Sequence, residues 1–206
     1  PAIVIISKSL NIIDDGAVRV IRSPSTHLNP IVIQGNSDEK NIRVNITTTD
    51  TGGLVFDGTS PDGQSVVMQR AFIAALYADV KMEGNIVFRN INNQGVQAEG
   101  ALNGTNNHGG GLRVSTTGNV DLVGVTFENC YASTYGGAVY NAGKLTLESV
   151  TAKNCSSGKE GGAIFNVNGG EVTLRNGTLT GNQAGASGGA IYNAGTMDII
   201  DSTITG

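Results

Sequence analysis

Three near-copies of one hexapeptide constrain this chain more than any other feature. Gly136-Gly137-Ala138-Val139-Tyr140-Asn141 recurs as Gly161-Gly162-Ala163-Ile164-Phe165-Asn166 and as Gly188-Gly189-Ala190-Ile191-Tyr192-Asn193, starting 25 and then 27 residues apart. That spacing lies in the range of solenoids and related repeat architectures. Each copy is therefore expected to mark one coil.

The text between the glycine pairs repeats as well. Lys144-Leu145-Thr146-Leu147, Glu171-Val172-Thr173-Leu174 and Thr196-Met197-Asp198-Ile199 alternate apolar with polar residues, which is the pattern of a half-buried strand and not of a helix. Strands at this period, joined by Gly- and Asn-rich turns, predict an all-β fold, a right-handed single-stranded parallel β-helix with 25–27 residues per rung. A leucine-rich horseshoe needs its own Leu/Asn consensus, and a propeller blade needs about 40 residues.

The regular rungs span 109–206. Over 1–70 the apolar runs Ala2–Ile6, Ala17–Ile21, Ile31–Ile33, Ile42–Ile46 and Leu54–Phe56 are short, β-branched and bounded by turn formers, so they read as strands of irregular early rungs. From Val66 to Leu76, Met68, Phe72 and Leu76 fall at helical spacing. Ala75-Leu76-Tyr77-Ala78 nevertheless resembles Ala138-Val139-Tyr140-Asn141, and Val80-Lys81-Met82 follows at the strand position of Leu145–Leu147. Residues 71–108 thus read as a degenerate rung and then a long polar loop, Ile91 to His108, expected to leave the coil and to be dispensable for folding from Asn92 to Asn107. The chain begins at Pro1 and stops at Gly206 where another coil should turn, as expected for a segment of one continuous, longer solenoid whose signal peptide and anchor lie elsewhere.

In-register stacking gives each repeated position a column. Aligning Leu112 with Val139, Ile164 and Ile191 sets Arg113 beside Tyr140, Phe165 and Tyr192, and because arginine is rarely buried without a partner, this aromatic column should point outward. Phe127, Ala152, Leu179 and Ile204 should form an inward column, with Thr126, Thr151, Thr178 and Thr203 outside it. Asn141, Asn166 and Asn193 fall where the chain turns, suited to unusual backbone angles and to a side-chain ladder between rungs. Cys130 and Cys155 share a position in successive coils, about 4.8 Å apart by rung spacing. That separation suits a disulfide in an oxidising compartment or a buried thiol pair.

The function classes narrow by composition. Net charge is −4 and the 13 Lys and Arg residues are scattered, so nucleic acid is not an expected partner. No apolar run is long enough to insert in a membrane as a helix. His27 and His108, the only histidines, have no neighbours at metal-ligand spacing, so no metal and no cofactor is expected. Asp121 and Asp198 share a column three rungs apart, about 14 Å at strand spacing, wider than paired glycosidase carboxylates. Asp14-Asp15 and Asp57 read as turn residues. No catalytic residues are therefore assigned. The threonine file raises ice binding, but its neighbours Glu128, Lys153, Thr180 and Thr205 do not make a second regular column.

Gly-Gly-Ala followed by Val or Ile, paired with a partial downstream Phe-x-x-Asn (Phe127 to Cys130, Leu179 to Asn182), resembles the repeats of chlamydial polymorphic outer-membrane proteins over roughly 109–206. The resemblance implies the secreted passenger of an autotransporter-like adhesin, extracellular on a bacterial surface, with a host-cell receptor protein or glycan as partner. The expectation is a non-enzymatic adhesin that contacts ligand through Arg113, Tyr140, Phe165 and Tyr192. The alternatives are that these rings merely shield the rungs, and that the scaffold carries a polysaccharide lyase or glycoside hydrolase. Oligomeric state is not read from the sequence.

Overall fold

The computed structural model describes residues 4–13, 16–22, 31–35, 42–49, 51–60, 62–68, 70–95 and 107–206. Their regular structure is β throughout, with no helix long and apolar enough to cross a membrane. The strands form four sheets, three of seven strands and one of five, and neighbouring strands run parallel. One rung shows the plan. Val139–Asn141, Lys144–Glu148, Thr151–Lys153 and Ser156–Ser157 go in turn to the four sheets, and the chain then returns at Ile164–Asn166 to pair with Val139–Asn141.

The register stacks like on like. Val139 lies on Ile164 and then Ile191, and Tyr140 lies on Phe165 and then Tyr192. Phe127, Ala152, Leu179 and Ile204 form one column, buried as far as Leu179, with Ile204 in the last rung 42% exposed. Thr126, Thr151, Thr178 and Thr203 stack beside it, and Asp121, Thr146, Thr173 and Asp198 form another column. The inner column runs back from Phe127 through Phe88 to Phe56, with ring centroids 4.9 and 4.7 Å apart. Gly111 stands where later rungs have alanine because a Cβ there would lie 2.8 Å from the Phe127 ring.

The glycine pair has two separate jobs. Gly136, Gly161 and Gly188 have φ of +64, +67 and +69°, the left-handed region that costs other residues most. The second glycine packs on the next rung, since a Cβ on Gly137 would meet the Gly162 carbonyl oxygen at 2.3 Å. Further corners use left-handed residues at Asn90, Asn129 and Asn154 and at Ser149, Asn176 and Asp201, mostly types that tolerate that conformation.

Asn141, Asn166 and Asn193 are strand residues and have no left-handed backbone, contrary to the turn role expected for them. Their side chains point between sheets and form a ladder. Asn141 Nδ2 donates to Asn166 Oδ1 at 2.8 Å, and Asn166 Nδ2 donates to Asn193 Oδ1 at 2.8 Å. The Asn166 amide also donates to the carbonyls of Gly170 and Thr196, which fastens the next corner.

The early rungs contain the expected strands, now Ile31–Gln34, Ile42–Thr47 and Gly53–Asp57, and also Leu10–Ile13, which the apolar runs did not mark. Two expectations fail in register or extent. Ile73, Ala74 and Ala75 pair with Leu112, Arg113 and Val114, so Ala75 and not Ala78 occupies the asparagine place. Tyr77 sits at a corner with φ +48°, because this rung uses a different first corner and its Ala-Leu-Tyr-Ala is only a compositional echo. Asn92–Asn93 is a strand between Val67–Met68 and Tyr131–Ala132, and Asn107 is tied to Ser133 and Thr134. Excising all of 92–107 would therefore remove part of the fourth sheet; 96–106 lie outside the described residues.

Asp57 does hold a turn, accepting hydrogen bonds from the Thr59 amide and hydroxyl, but it is also a buried ion-pair partner of Arg89 at 2.9 Å. Burial pushes its carboxyl up, and Thr59 and Arg89 outweigh that and leave it below the ordinary value. Cys130 and Cys155 are free thiols, each fully buried, and desolvation with the Cys155 contact pushes the Cys130 thiol well up.

Ladder position should set stability. Asn166→Ala strips partners from two neighbours and two carbonyls and should cost about 2 kcal/mol, since buried groups left unpaired lose their full desolvation energy. Asn193→Ala, at an exposed site, should cost much less; equal losses in chemical denaturation would contradict the ladder. Thiol titration should find two reactive groups only after unfolding, and none would mean that the cysteines are bridged.

Candidate functional site

The outward column of the first sheet is the most distinctive surface. Tyr140, Phe165 and Tyr192 are half-buried and follow Arg113 in register. Tyr140 and Phe165 have centroids 5.6 Å apart with planes at 7°, and Phe165 and Tyr192 are 5.0 Å apart at 5°. These are offset-stacked pairs, so the rings spend their faces on each other and present edges and two phenol hydroxyls to solvent. The rings expected in one outward column do lie in register.

A second column reinforces the first. The residue before each glycine pair is His108, Tyr135, Glu160 and then Ser187. His108 stacks on Tyr140 at 4.7 Å and 14°, and Tyr135 stacks on Phe165 at 4.5 Å and 28°, with 4.9 Å between His108 and Tyr135. Each ring thus leans on the ring one rung further along. Sequence reasoning left out His108 as a loop residue and did not select Tyr135. The signal was their shared place before the glycines, hidden because the residue type changes from rung to rung.

Cations edge the cluster. The Arg113 guanidinium carbon lies 5.8 Å from the Tyr140 centroid, and Lys159 Nζ lies 5.6 Å from that of Tyr135, both at cation–π range. Burial raises the Tyr140 phenol's proton affinity, although the Arg113 charge opposes it. The His108 imidazole shares a 2.7 Å hydrogen bond with the Thr134 hydroxyl, and burial, followed by the charges of Arg113 and Lys159, pushes it down to about 4. It is neutral at pH 7.

Elsewhere the exterior offers less. Asp121 and Asp198 are kept apart by the rungs of Thr146 and Thr173. Among the described residues no group of three His, Cys, Asp or Glu side chains could hold a metal ion. His27 and Asp14-Asp15 lie outside the described residues. Beside the threonine file, Lys153 pairs with Glu128 at 3.2 Å, which breaks the flat hydroxyl lattice that an ice-binding face needs. An open groove along the fourth sheet is lined by amides and hydroxyls, among them Asn90, Asn92, Asn129 and Tyr131. No family model, curated protein or solved structure matches this chain.

The His108 environment has a pH signature. An unfolded imidazole ionises near its ordinary 6.5 and the folded one near 4, so between these values the unfolded chain binds more protons and stability rises with pH. The contribution is complete above about 6.5 and is lost as pH falls toward about 4. In His108→Phe, which keeps a ring in the stack, the thermal midpoint should fall less steeply over that window than in the parent; superimposable profiles would contradict the buried neutral histidine.

Proposed function

We propose that this chain is an extracellular segment of a bacterial cell-surface adhesin, and that its stacked parallel sheets wind as a right-handed single-stranded β-helix. The resemblance to chlamydial-type polymorphic outer-membrane proteins, carried by the Gly-Gly-Ala-Val/Ile copies, supports the autotransporter passenger reading. Its mechanism is mechanical: rungs that contact only their neighbours make a stiff support for one exterior surface. A host-cell receptor protein or glycan is the partner of that surface.

The single observation that carries the reading is the five-ring cluster of His108, Tyr135, Tyr140, Phe165 and Tyr192 on the outside of the sheets. Aromatic anchors edged by cations are the side chains on which interfaces concentrate binding energy. A column needed only to seal the rungs could be aliphatic, as Val139, Ile164 and Ile191 are on the inner side.

Tyr192 has one ring neighbour among the described residues, so Tyr192→Ala should leave the thermal midpoint nearly unchanged while adhesion to host cells or arrayed glycans falls by roughly tenfold or more, as for truncation of an anchor residue. Unaltered adhesion per folded molecule would make the column structural. Incubation with acidic and neutral polysaccharides should yield no new reducing or unsaturated ends; their appearance would establish the lyase or hydrolase alternative.

A further inference from the structure

The fourth sheet carries an aromatic residue in a different setting. Its outward column runs Val67, Asn92, Tyr131, Ser156 and Gln183, and Tyr131 is half-buried while Ala132 beside it points into the core. Tyr140, Phe165 and Tyr192 cover one another's faces, whereas Tyr131 makes no ring contact among the described residues. Its rung neighbours, about 4.8 Å away at strand spacing, are the amide of Asn92 and the hydroxyl of Ser156. A phenol reaches further from the sheet than either, so the ring keeps apolar surface open to solvent.

That ring stands in an open groove of about 680 Å3, the size of a small-ligand site. One wall is the turn between Thr59 and Ser65, closed by their antiparallel bridge and by the Ser60 amide donating to the Gln64 carbonyl at 2.9 Å. Asn92 Nδ2 donates to Ser65 Oγ at 3.3 Å and ties this wall to the sheet. Another edge is the corner of Asn90 and Asn129, both at φ +53°, where Asn129 Nδ2 donates to Asn90 Oδ1 at 3.3 Å. These bonds leave the side-chain oxygens of Asn92 and Asn129 as acceptors, and the Gln94 amide, the Tyr131 phenol and the Ser156 hydroxyl have no side-chain hydrogen bond among the described residues. No charged side chain lines the groove. The charges on the strands leading into it, Asp57 with Arg89 and Glu128 with Lys153, are paired with each other.

An open ring among uncharged groups that both donate and accept selects the occupant. A nucleic acid or an acidic chain would need cations here, and a protein partner would need a larger apolar centre than one ring. A neutral sugar turns an apolar C–H face to an aromatic ring, and its hydroxyls donate and accept as amides and hydroxyls require. The geometry points to a second binding site, for a neutral oligosaccharide laid along the fourth sheet, with Tyr131 under one sugar ring and Asn92, Gln94, Asn129 and Ser156 around its hydroxyls. The groove belongs to a different sheet from the Tyr140 column, and its assignment does not rest on the reading of that column.

The test is titration of the unaltered chain with cellohexaose, mannohexaose and N-acetylchitohexaose, and with an oligogalacturonate of equal length as the charged comparison, followed by nuclear magnetic resonance. At least one neutral sugar should bind saturably and should shift the Tyr131 ring signals and the Asn92 and Asn129 side-chain amide signals more than the ring signals of Tyr140 and Tyr192. Its affinity should hold as salt is raised, because no exposed charge takes part. Tyr131→Ala should weaken that binding by about tenfold or more, as for loss of an aromatic anchor, and Asn129→Ala should weaken it less. Saturable binding by none of the neutral sugars, tighter binding of the oligogalacturonate, or shifts confined to Tyr140 and Tyr192 would overturn the site. These outcomes are read on the unaltered protein, so they decide even if a variant fails to fold. They leave the adhesin reading to its own test, the adhesion of Tyr192→Ala to cells.

Discussion

The structure depends on hydrogen bonding between equivalent strands of successive rungs. Once Val139 pairs with Ile164 and Ile191, every other position in the repeat is carried into register, and each side chain meets its own counterpart about 4.8 Å away. Like must then tolerate like. Apolar residues, amides and aromatic rings do so, because each can both offer and accept contact along the same direction. Charges do not, and the columns that carry them mix signs or alternate with threonine, as with Lys81, Asp121 and Thr146.

The same constraint explains both specialised columns. Inside, an amide can stack without loss because its NH2 donates up the rod while its oxygen accepts from the other side, so Asn141 and Asn166 are fully buried yet bonded. Outside, rung spacing is close to that of offset ring stacking, and the aromatic column closes on itself. At one end of that ladder Arg113 lies over the Tyr140 ring, with no ion pair to an acid among the described residues.

Much of this was legible in the sequence because repetition converts spacing directly into neighbourhood. The copies at Gly136, Gly161 and Gly188 announce the strand order, the inward and outward columns and the asparagine stack. What remained hidden belongs to features that do not repeat in kind. His108 and Tyr135 share a position with Glu160 and Ser187, so no common chemistry flagged it. The frame of 71–90 was misread because Ala75-Leu76-Tyr77-Ala78 imitates the motif while the corner at Tyr77 differs, and Asn92–Asn93 looked like loop because a polar two-residue strand has no periodicity to show. Ring orientation, which decides whether faces or edges are available, is a matter of rotamers and rung spacing that no pattern of residue types contains.

The stacking of rungs in this register is tested most directly by exchange of the asparagine side-chain amide protons in the native protein. Asn141 and Asn166 lie inside with their Nδ2 groups bonded to the next rung, whereas Asn193 is exposed and among the described residues its Nδ2 bonds only the carbonyl two residues on. Nuclear magnetic resonance should show the first two strongly protected and the third exchanging close to the rate of free amide. Three amides exchanging alike, at the rate set by solvent, would contradict the ladder and the register that aligns it.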